Sequence, residues 1–380
     1  MKVMQSIDVA RWVSVLGRRT VKVMGESPAA ARFQPRHVVA RRLRRKAGTT
    51  RRIGSDLYTS LLLRSAEDVV RGGHCWGVLE GAQNEARDSG LAVRFLAAAH
   101  RLVLEGRAPN LARHYPSVGG DGDAESAWRQ FLQTMNEHQD VLRGLLQHPV
   151  QRNEVTRCGA FLCGFLELAE MWRLPLRTFE IGSSAGLNLL WDRFYYEGEW
   201  SWGDSQSPVR LRWEVRGPPP IDAPVEVVEQ GGCDVAPVDP TSEEGRMRLM
   251  ALVWADQTEE MDALRAALDL ASCHDLPSVD RADAADWTEE LLAHPVQGAG
   301  TVVFHSSVMQ FLGERGRSRI LETLERAGSR ATEDAPIAHL RIEPDRPTNA
   351  LRLTTWPGGR DRVVARTGPV TGRPVHLTTR

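Results

Sequence analysis

The chain contains no apolar run approaching the roughly 18 residues that a membrane-spanning helix needs, so its 42% hydrophobic residues predict a globular interior and no membrane association. The N-terminus lacks the compact apolar segment and small-residue cleavage site of a secretory signal, and a cytoplasmic location is expected. Five cysteines in 380 residues (Cys75, Cys158, Cys163, Cys233 and Cys273) make no CxxC pair and no Cys/His metal spacing. That scarcity excludes a disulfide framework and a zinc module, and the thiols read as free ones in a reducing compartment, with no metal site. Lysine is nearly absent: only Lys2, Lys22 and Lys46 among the 48 basic residues.

The net charge of −1 conceals an uneven distribution. Residues 1–52 hold 14 Lys or Arg against Asp8 and Glu26, a net of +12 that leaves −13 on the remainder. A run such as Arg41–Lys46, RRLRRK, is a candidate for nucleic acid or an acidic surface. It has no interleaved aromatics, however, and single-strand binding uses them. The reading favoured is a flexible or partly helical basic extension over residues 1–53, with nucleic acid an unexpected partner and the acidic main body ill-suited to phosphate-rich substrates.

From about Gly54, segments 56–71, 75–86, 91–105, 124–147 and 154–172 show helical periodicity, predicting an all-helical domain over residues 54–173. Strands and helices then alternate, as in a parallel α/β sheet. Expected strands are Leu176–Ile181, Val225–Glu229, Ser278–Arg281, Thr301–His305 and Ile337–Ile342. Expected helices are Leu187–Phe194, Glu243–Leu252, Glu259–Leu270, Ala284–His294 and Ser318–Ala327. Leu351–Trp356 and Arg362–Thr367, joined by PGGR, read as a terminal hairpin. A mostly parallel sheet ending in an antiparallel hairpin, over residues 174–380, suggests a Rossmann-like, methyltransferase-type domain, a comparison at the level of fold. An insertion at residues 195–224 carries Tyr195, Tyr196, Trp200, Trp202 and Trp213. It reads either as a lid over a substrate or as a structural hairpin.

The chemistry concentrates in Leu176–Asn188, LRTFEIGSSAGLN. In open α/β sheets ligands bind beyond the carboxyl ends of the strands, and this segment is the first strand turning into its helix. Gly182 permits a tight turn, Gly186 a close helix start, and the amides beyond it favour an anionic group. Glu180 adds an acceptor for an ammonium. An acid followed by glycines in this way is the first motif of S-adenosylmethionine-dependent enzymes. Asp234, in GGCDVAP, and Asp283, in VDRAD, fall after successive strands, placed for the ribose hydroxyls and the adenine amino group. The alternative for both aspartates is helix capping. His305, in VVFHSS, ends the fourth strand and is the candidate general base.

The same residues match a second chemistry, because Gly182–Gly186 fits G-x-S-x-G, the nucleophile elbow of α/β-hydrolases. Ser184 would be the nucleophile, with Asp283 and His305, or Asp345 and His376, completing a triad. Glu180 close behind the elbow, and the lack of an HGGG-type oxyanion loop after a preceding strand, count against it. A third possibility is a ligand-binding protein without catalysis.

The chain also resembles the bacterial domain-of-unknown-function family DUF2332, from about Ser55 to His376. The blocks that carry the resemblance are HYPSVGG (His114–Gly120), QRNEVTRC (Gln151–Cys158), FEIGSSAGLNLLWDRF (Phe179–Phe194), CDVAPVDP (Cys233–Pro240), LVWADQ (Leu252–Gln257), VVFHSSV (Val302–Val308) and LRLTTWPGG (Leu351–Gly359). The resemblance implies a methyltransferase-like domain behind a helical one, and no established reaction. It draws attention to Asn153, Glu154 and Arg157, which on a helix would share one side and form either a surface ion pair or a cluster holding a polar substrate. Tyr115 and Trp254, beside Asp256, are further substrate-side candidates, for a small molecule or peptide with an apolar or planar part. The middle glycine of the usual E/D-x-G-x-G-x-G pattern is Ser184 here, which narrows the approach of S-adenosylmethionine.

Overall fold

A computed structural model describes residues 28–86, 89–217, 219–345, 348–367 and 374–377. Seven helices come first: α1 (Pro28–Arg52), α2 (Asp56–Arg71), α3 (His74–Leu79), α4 (Leu91–Leu104), α5 (Pro109–Ala112), α6 (Ala124–Glu137) and α7 (Gln139–Leu145). After α8 (Cys158–Trp172) come β1 (Leu176–Ile181), β2 (Tyr195–Glu197), β3 (Arg210–Arg212) and β4 (Val227–Asp234). Next are α9 (Glu243–Ala251), α10 (Thr258–Cys273), β5 (Ser278–Arg281), α11 (Ala284–Leu291), β6 (Gly300–Ser306) and α12 (Glu314–Gly328). The last four strands are β7 (Ile337–Asp345), β8 (Thr348–Trp356), β9 (Arg360–Thr367) and β10 (Pro374–Leu377). Among the described residues no helix is long and apolar enough to cross a membrane.

The eight-stranded sheet runs β10-β9-β8-β7-β6-β1-β4-β5. β5, β4, β1, β6 and β7 are mutually parallel, and β8, β9 and β10 add antiparallel pairings at one edge. From β1 the chain builds outward through β4 and β5, then returns to β6 on the other side. The crevice where that direction reverses lies between β1 and β6, the place where such sheets take ligands. Phe304, Leu340 and Leu353 look to one face, with α8 and α10, while Ile181, Cys233 and Val303 look to the other, with α11 and α12. The alternation follows from the two-residue period of a strand.

Three expectations change. The extension expected over residues 1–53, flexible or partly helical, is helix α1 over Pro28–Arg52 and is packed into the molecule where an appendage was expected; residues 1–27 lie outside those described. Val39, Ala40, Leu43 and Ala47 fall on one face of α1 and are buried in the helical core. Arg42 anchors it by donating to the Ala82 and Glu85 carbonyls at 2.9 and 2.7 Å. β4 runs on through Gly231 and Gly232 to Asp234, where the expected strand stopped at Glu229. Ser183 packs against this strand where it has no side chain: a Cβ on Gly232 would lie 2.0 Å from Ser183 Oγ.

The aromatic insertion is packed beneath the sheet. β2 and β3 pair in parallel, and Tyr196 and Trp213 are fully buried in the core that holds α8. Trp213 Nε1 donates to the Gly159 carbonyl at 2.7 Å, and Trp191 stacks on Phe165 with ring centroids 4.1 Å apart. Tyr196 and Trp213 are thus spent inside the core, while Trp200 and Trp202 are half-buried and pack against it.

Candidate functional site

β1 ends at Glu180 and Ile181, and the chain then turns through Gly182 (φ 72°), Ser184 (φ 56°) and Gly186 (φ 73°). All three occupy the left-handed region, which costs a non-glycine residue roughly 1–2 kcal/mol. Glycine is required twice over at the outer positions. A Cβ on Gly182 would meet Val308 Cγ2 at 2.6 Å, and one on Gly186 would meet Val279 Cγ2 at 2.7 Å. The turn leads into a 3-10 helix, Leu187–Arg193, in place of the expected α-helix.

The amides of this turn are engaged within the protein. Gly182 and Ser183 donate to the Cys233 carbonyl at 2.8 and 3.0 Å, and Gly186 to Ser183 at 2.8 Å. The Ser184 amide donates to Asp234 Oδ2 at 3.0 Å. Ala185 and Leu187 both donate to Asn153 Oδ1, at 3.3 and 3.2 Å. The expected row of free amides for an anion is therefore corrected: a side-chain oxygen from the helical half of the molecule already fills it.

Gln151–Arg157 is the piece that closes over the turn. It is extended chain followed by a short 3-10 turn, Val155–Arg157, with α8 starting only at Cys158. Asn153 and Arg157 therefore do not share a helix face as expected. Gln151 Nε2 donates to Asp234 Oδ1 at 3.0 Å, and Asn153 Nδ2 to Asn188 Oδ1 at 3.1 Å. Arg157 donates to Ser306 Oγ at 2.7 Å, on the end of β6. Glu154 is buried between Arg152, at 2.9 Å, and Arg157. Gln151 thus reaches the end of β4, Asn153 the turn after β1 and Arg157 the end of β6, so the block bridges the three.

Glu180 is 2% exposed. Asn188 Nδ2 donates to its Oε1 at 2.9 Å, and Oε2 has no hydrogen-bond partner among the described residues. Burial pushes this carboxyl up to about 8, against the pull of the Asn188 hydrogen bond and of Arg157, with Asp234 adding to the rise. The cause is desolvation of the charged form. Ser184 Oγ is likewise buried without a partner. Asp234 is buried and saturated, since Oδ1 takes the Ala236 amide at 2.8 Å besides Gln151, and Oδ2 takes Ser184.

Glu180, Gly182, Ser184, Gly186, Asp234, Asn153, Glu154 and Arg157 thus come together at the ends of β1, β4 and β6. Asp283 serves otherwise: it is exposed and caps α11, accepting from Ala285 and Asp286 at 2.9 and 3.3 Å. His305 is fully buried, with Nε2 2.9 Å from His339 Nε2 and Nδ1 3.1 Å from Glu343 Oε1. Its ring nitrogens are thus turned to β7, away from Glu180, Ser184 and Asp234. Tyr115 and Trp254 lie in the helical core. The HYPS loop ties the two halves together, as Ser117 donates to the Ala255 carbonyl at 2.7 Å. Sequence reasoning missed Gln151, Asn188 and Ser306 as members of this cluster. Asn188 was within reach, two residues past Gly186; Gln151 and Ser306 carry no local signal.

The chain belongs to the family described as "Uncharacterized protein conserved in bacteria (DUF2332)", whose model matches residues 40–376. The match begins within α1, in agreement with the packing of that helix into the core. No curated protein and no solved structure matches the chain.

Proposed function

We propose that this protein is an S-adenosylmethionine-dependent methyltransferase with a Rossmann-like, methyltransferase-type sheet, its ligand lying against the ends of β1 and β4. One observation carries the reading: Glu180 Oε2, a buried acceptor with no partner among the described residues, stands immediately before a turn with two left-handed glycines. Asp234 ends the neighbouring strand, so two carboxyls stand side by side at the ends of β1 and β4, next to the crevice. The orphaned Glu180 oxygen and Ser184 hydroxyl fit the ammonium end of the ligand. Its carboxylate finds no free amide and would take the place of Asn153 Oδ1, while its ribose hydroxyls would take that of the Gln151 amide on Asp234. When bound, S-adenosylmethionine would supply an electrophilic methyl group.

The chain's own contribution is positioning and exclusion of water. Glu180, neutral at pH 7, accepts or donates a hydrogen bond without a buried charge. Arg157 ties Ser306 to the helical half, and Glu154 pairs with both Arg152 and Arg157, offsetting one of their two charges. His305 is left out, because its ring nitrogens face His339 and Glu343. Asp283 is left out because it caps a helix.

The G-x-S-x-G alternative needs a histidine beside Ser184, and Ser184 Oγ has no hydrogen-bond partner among the described residues. Calorimetry with S-adenosylmethionine and S-adenosylhomocysteine tests the choice. Saturable binding that disappears in Asp234→Ala and weakens about tenfold, or roughly 1.4 kcal/mol, in Glu180→Gln supports the proposal. No binding by the wild type, with fluorophosphonate labelling of Ser184, overturns it in favour of hydrolysis.

A further inference from the structure

A second set of orphaned polar groups lies where α2 and the HYPS loop meet the LVWADQ segment. Ser55 caps α2: its Oγ accepts from the Tyr58 amide at 3.3 Å and donates to Asp256 Oδ2 at 2.6 Å. Tyr58 and Asp256 are therefore held against the same hydroxyl. The Tyr58 ring centroid is 5.9 Å from that of Trp254 and 6.2 Å from that of Tyr115. Tyr58, Tyr115 and Trp254 are all buried. Yet the hydroxyls of Tyr58 and Tyr115, and Asp256 Oδ1, have no hydrogen-bond partner among the described residues.

Leaving such groups buried and unpaired costs about 1–3 kcal/mol each, so a fold that keeps three together implies something that completes them. The available chemistry is two phenolic oxygens, one carboxylate oxygen and aromatic faces. An ammonium presents three N–H donors and no acceptor, and aromatic faces attract a cation. An anion would meet the Asp256 carboxylate and the electron-rich ring faces. One face of Trp254 is already taken by Lys46 of α1, whose Nζ lies 5.5 Å from the ring centroid and which burial, then Arg152, holds below its ordinary value. Burial, and then the Asp256 charge, raises the Tyr115 phenol far above its ordinary range, so it stays neutral.

We propose that Tyr58, Tyr115, Trp254 and Asp256 form a binding site for a protonated alkylamine, with Asp256 Oδ1 and the two phenolic oxygens as its acceptors. Gln257, next to Asp256, accepts from Arg152 at 3.1 Å, which ties the site to the Gln151–Arg157 block. It goes beyond the methyltransferase reading and does not depend on it.

The test titrates the full-length protein with n-butylammonium chloride, and separately with sodium butyrate, by saturation-transfer difference NMR. The expected result is saturable binding of butylammonium and none of butyrate. Affinity should fall about tenfold or more in Asp256→Asn and about threefold in Tyr115→Phe. Circular dichroism checks that each variant is folded, and should Asp256→Asn not fold, Tyr115→Phe decides. Absence of saturable butylammonium binding by the wild type overturns the proposal and leaves ordered water as the partner of these groups. Equal binding of butylammonium and butyrate, or affinity unchanged in every folded variant, also overturns it.

Discussion

Asn188 Nδ2 donates to Glu180 Oε1 at 2.9 Å and leaves the other carboxyl oxygen of Glu180 without a partner. The amide steadies the carboxyl without matching it, so desolvation governs its protonation. Asn188 is in turn held by Asn153 at 3.1 Å, which connects the state of a strand-end acid to a segment that precedes α8.

That acid should leave a signature in the dependence of stability on pH. The folded value of Glu180 is raised to about 8 from an ordinary value near 4.5. Its contribution is fully present below pH 4.5 and is lost as pH rises through 8, because the unfolded chain ionises first. Glu180→Gln should change stability little at pH 5 and stabilise relative to wild type at pH 9, by something on the order of 1 kcal/mol or more. Urea midpoints of both proteins at the two pH values check this, and parallel profiles would contradict it.

Asn153→Ala removes the acceptor shared by the Ala185 and Leu187 amides. The expected cost is about 2–6 kcal/mol, from about 1–3 kcal/mol for each of two buried donors left unpaired. Hydrogen exchange at residues 185 and 187 should accelerate well beyond any change at Gly182, whose amide bonds the Cys233 carbonyl. Uniform acceleration across the turn would mean that Asn153 acts only through global stability.

Acid should destabilise the protein through two buried histidines. Burial lowers His100 to about 4, and burial together with His305 holds His339 well below the ordinary value. Stability from their neutral forms is complete above pH 6.5 and is lost as pH falls towards the folded values, because only the unfolded chain takes up protons in between. The slope expected is about 1 kcal/mol per pH unit for each ring. Melting temperatures between pH 7 and 4.5 should fall less steeply for His339→Gln than for wild type. Glu180 pulls the other way in this window, so the comparison is made against Glu180→Gln as a background as well.

Gly186→Ala brings a Cβ to 2.7 Å from Val279 Cγ2 at a φ of 73°. Strain and overlap together predict a loss of about 2–4 kcal/mol. Adding Val279→Ala should return part of that loss, the share due to overlap, and leave the share due to φ. Denaturant unfolding of the single and double variants separates the two, and no recovery would place the whole cost in the backbone.

Much of the framework is local and therefore legible. Leu176–Ile181 and Ser278–Arg281 are strands with the expected bounds, and α2 starts and ends as its periodicity and its Ser55 cap require. The glycine turn is equally local, because positive φ and close approach are properties of the residues themselves. The remainder depends on partners distant in sequence. α1 reads as a basic arm until the helices that bury Val39 and Leu43 are placed beside it. The second strand reads as ending at Glu229 until β1 supplies a parallel partner for Gly231 and Gly232. His305 reads as a strand-end base until His339, on the next strand, takes its nitrogen. Sequence alone determined that an acid precedes two glycines at the end of the first strand. Only the tertiary structure decided that this acid is desolvated and that Asn153 occupies the amides beyond it, since desolvation and long-range hydrogen bonds exist only once the helical half has closed over the sheet.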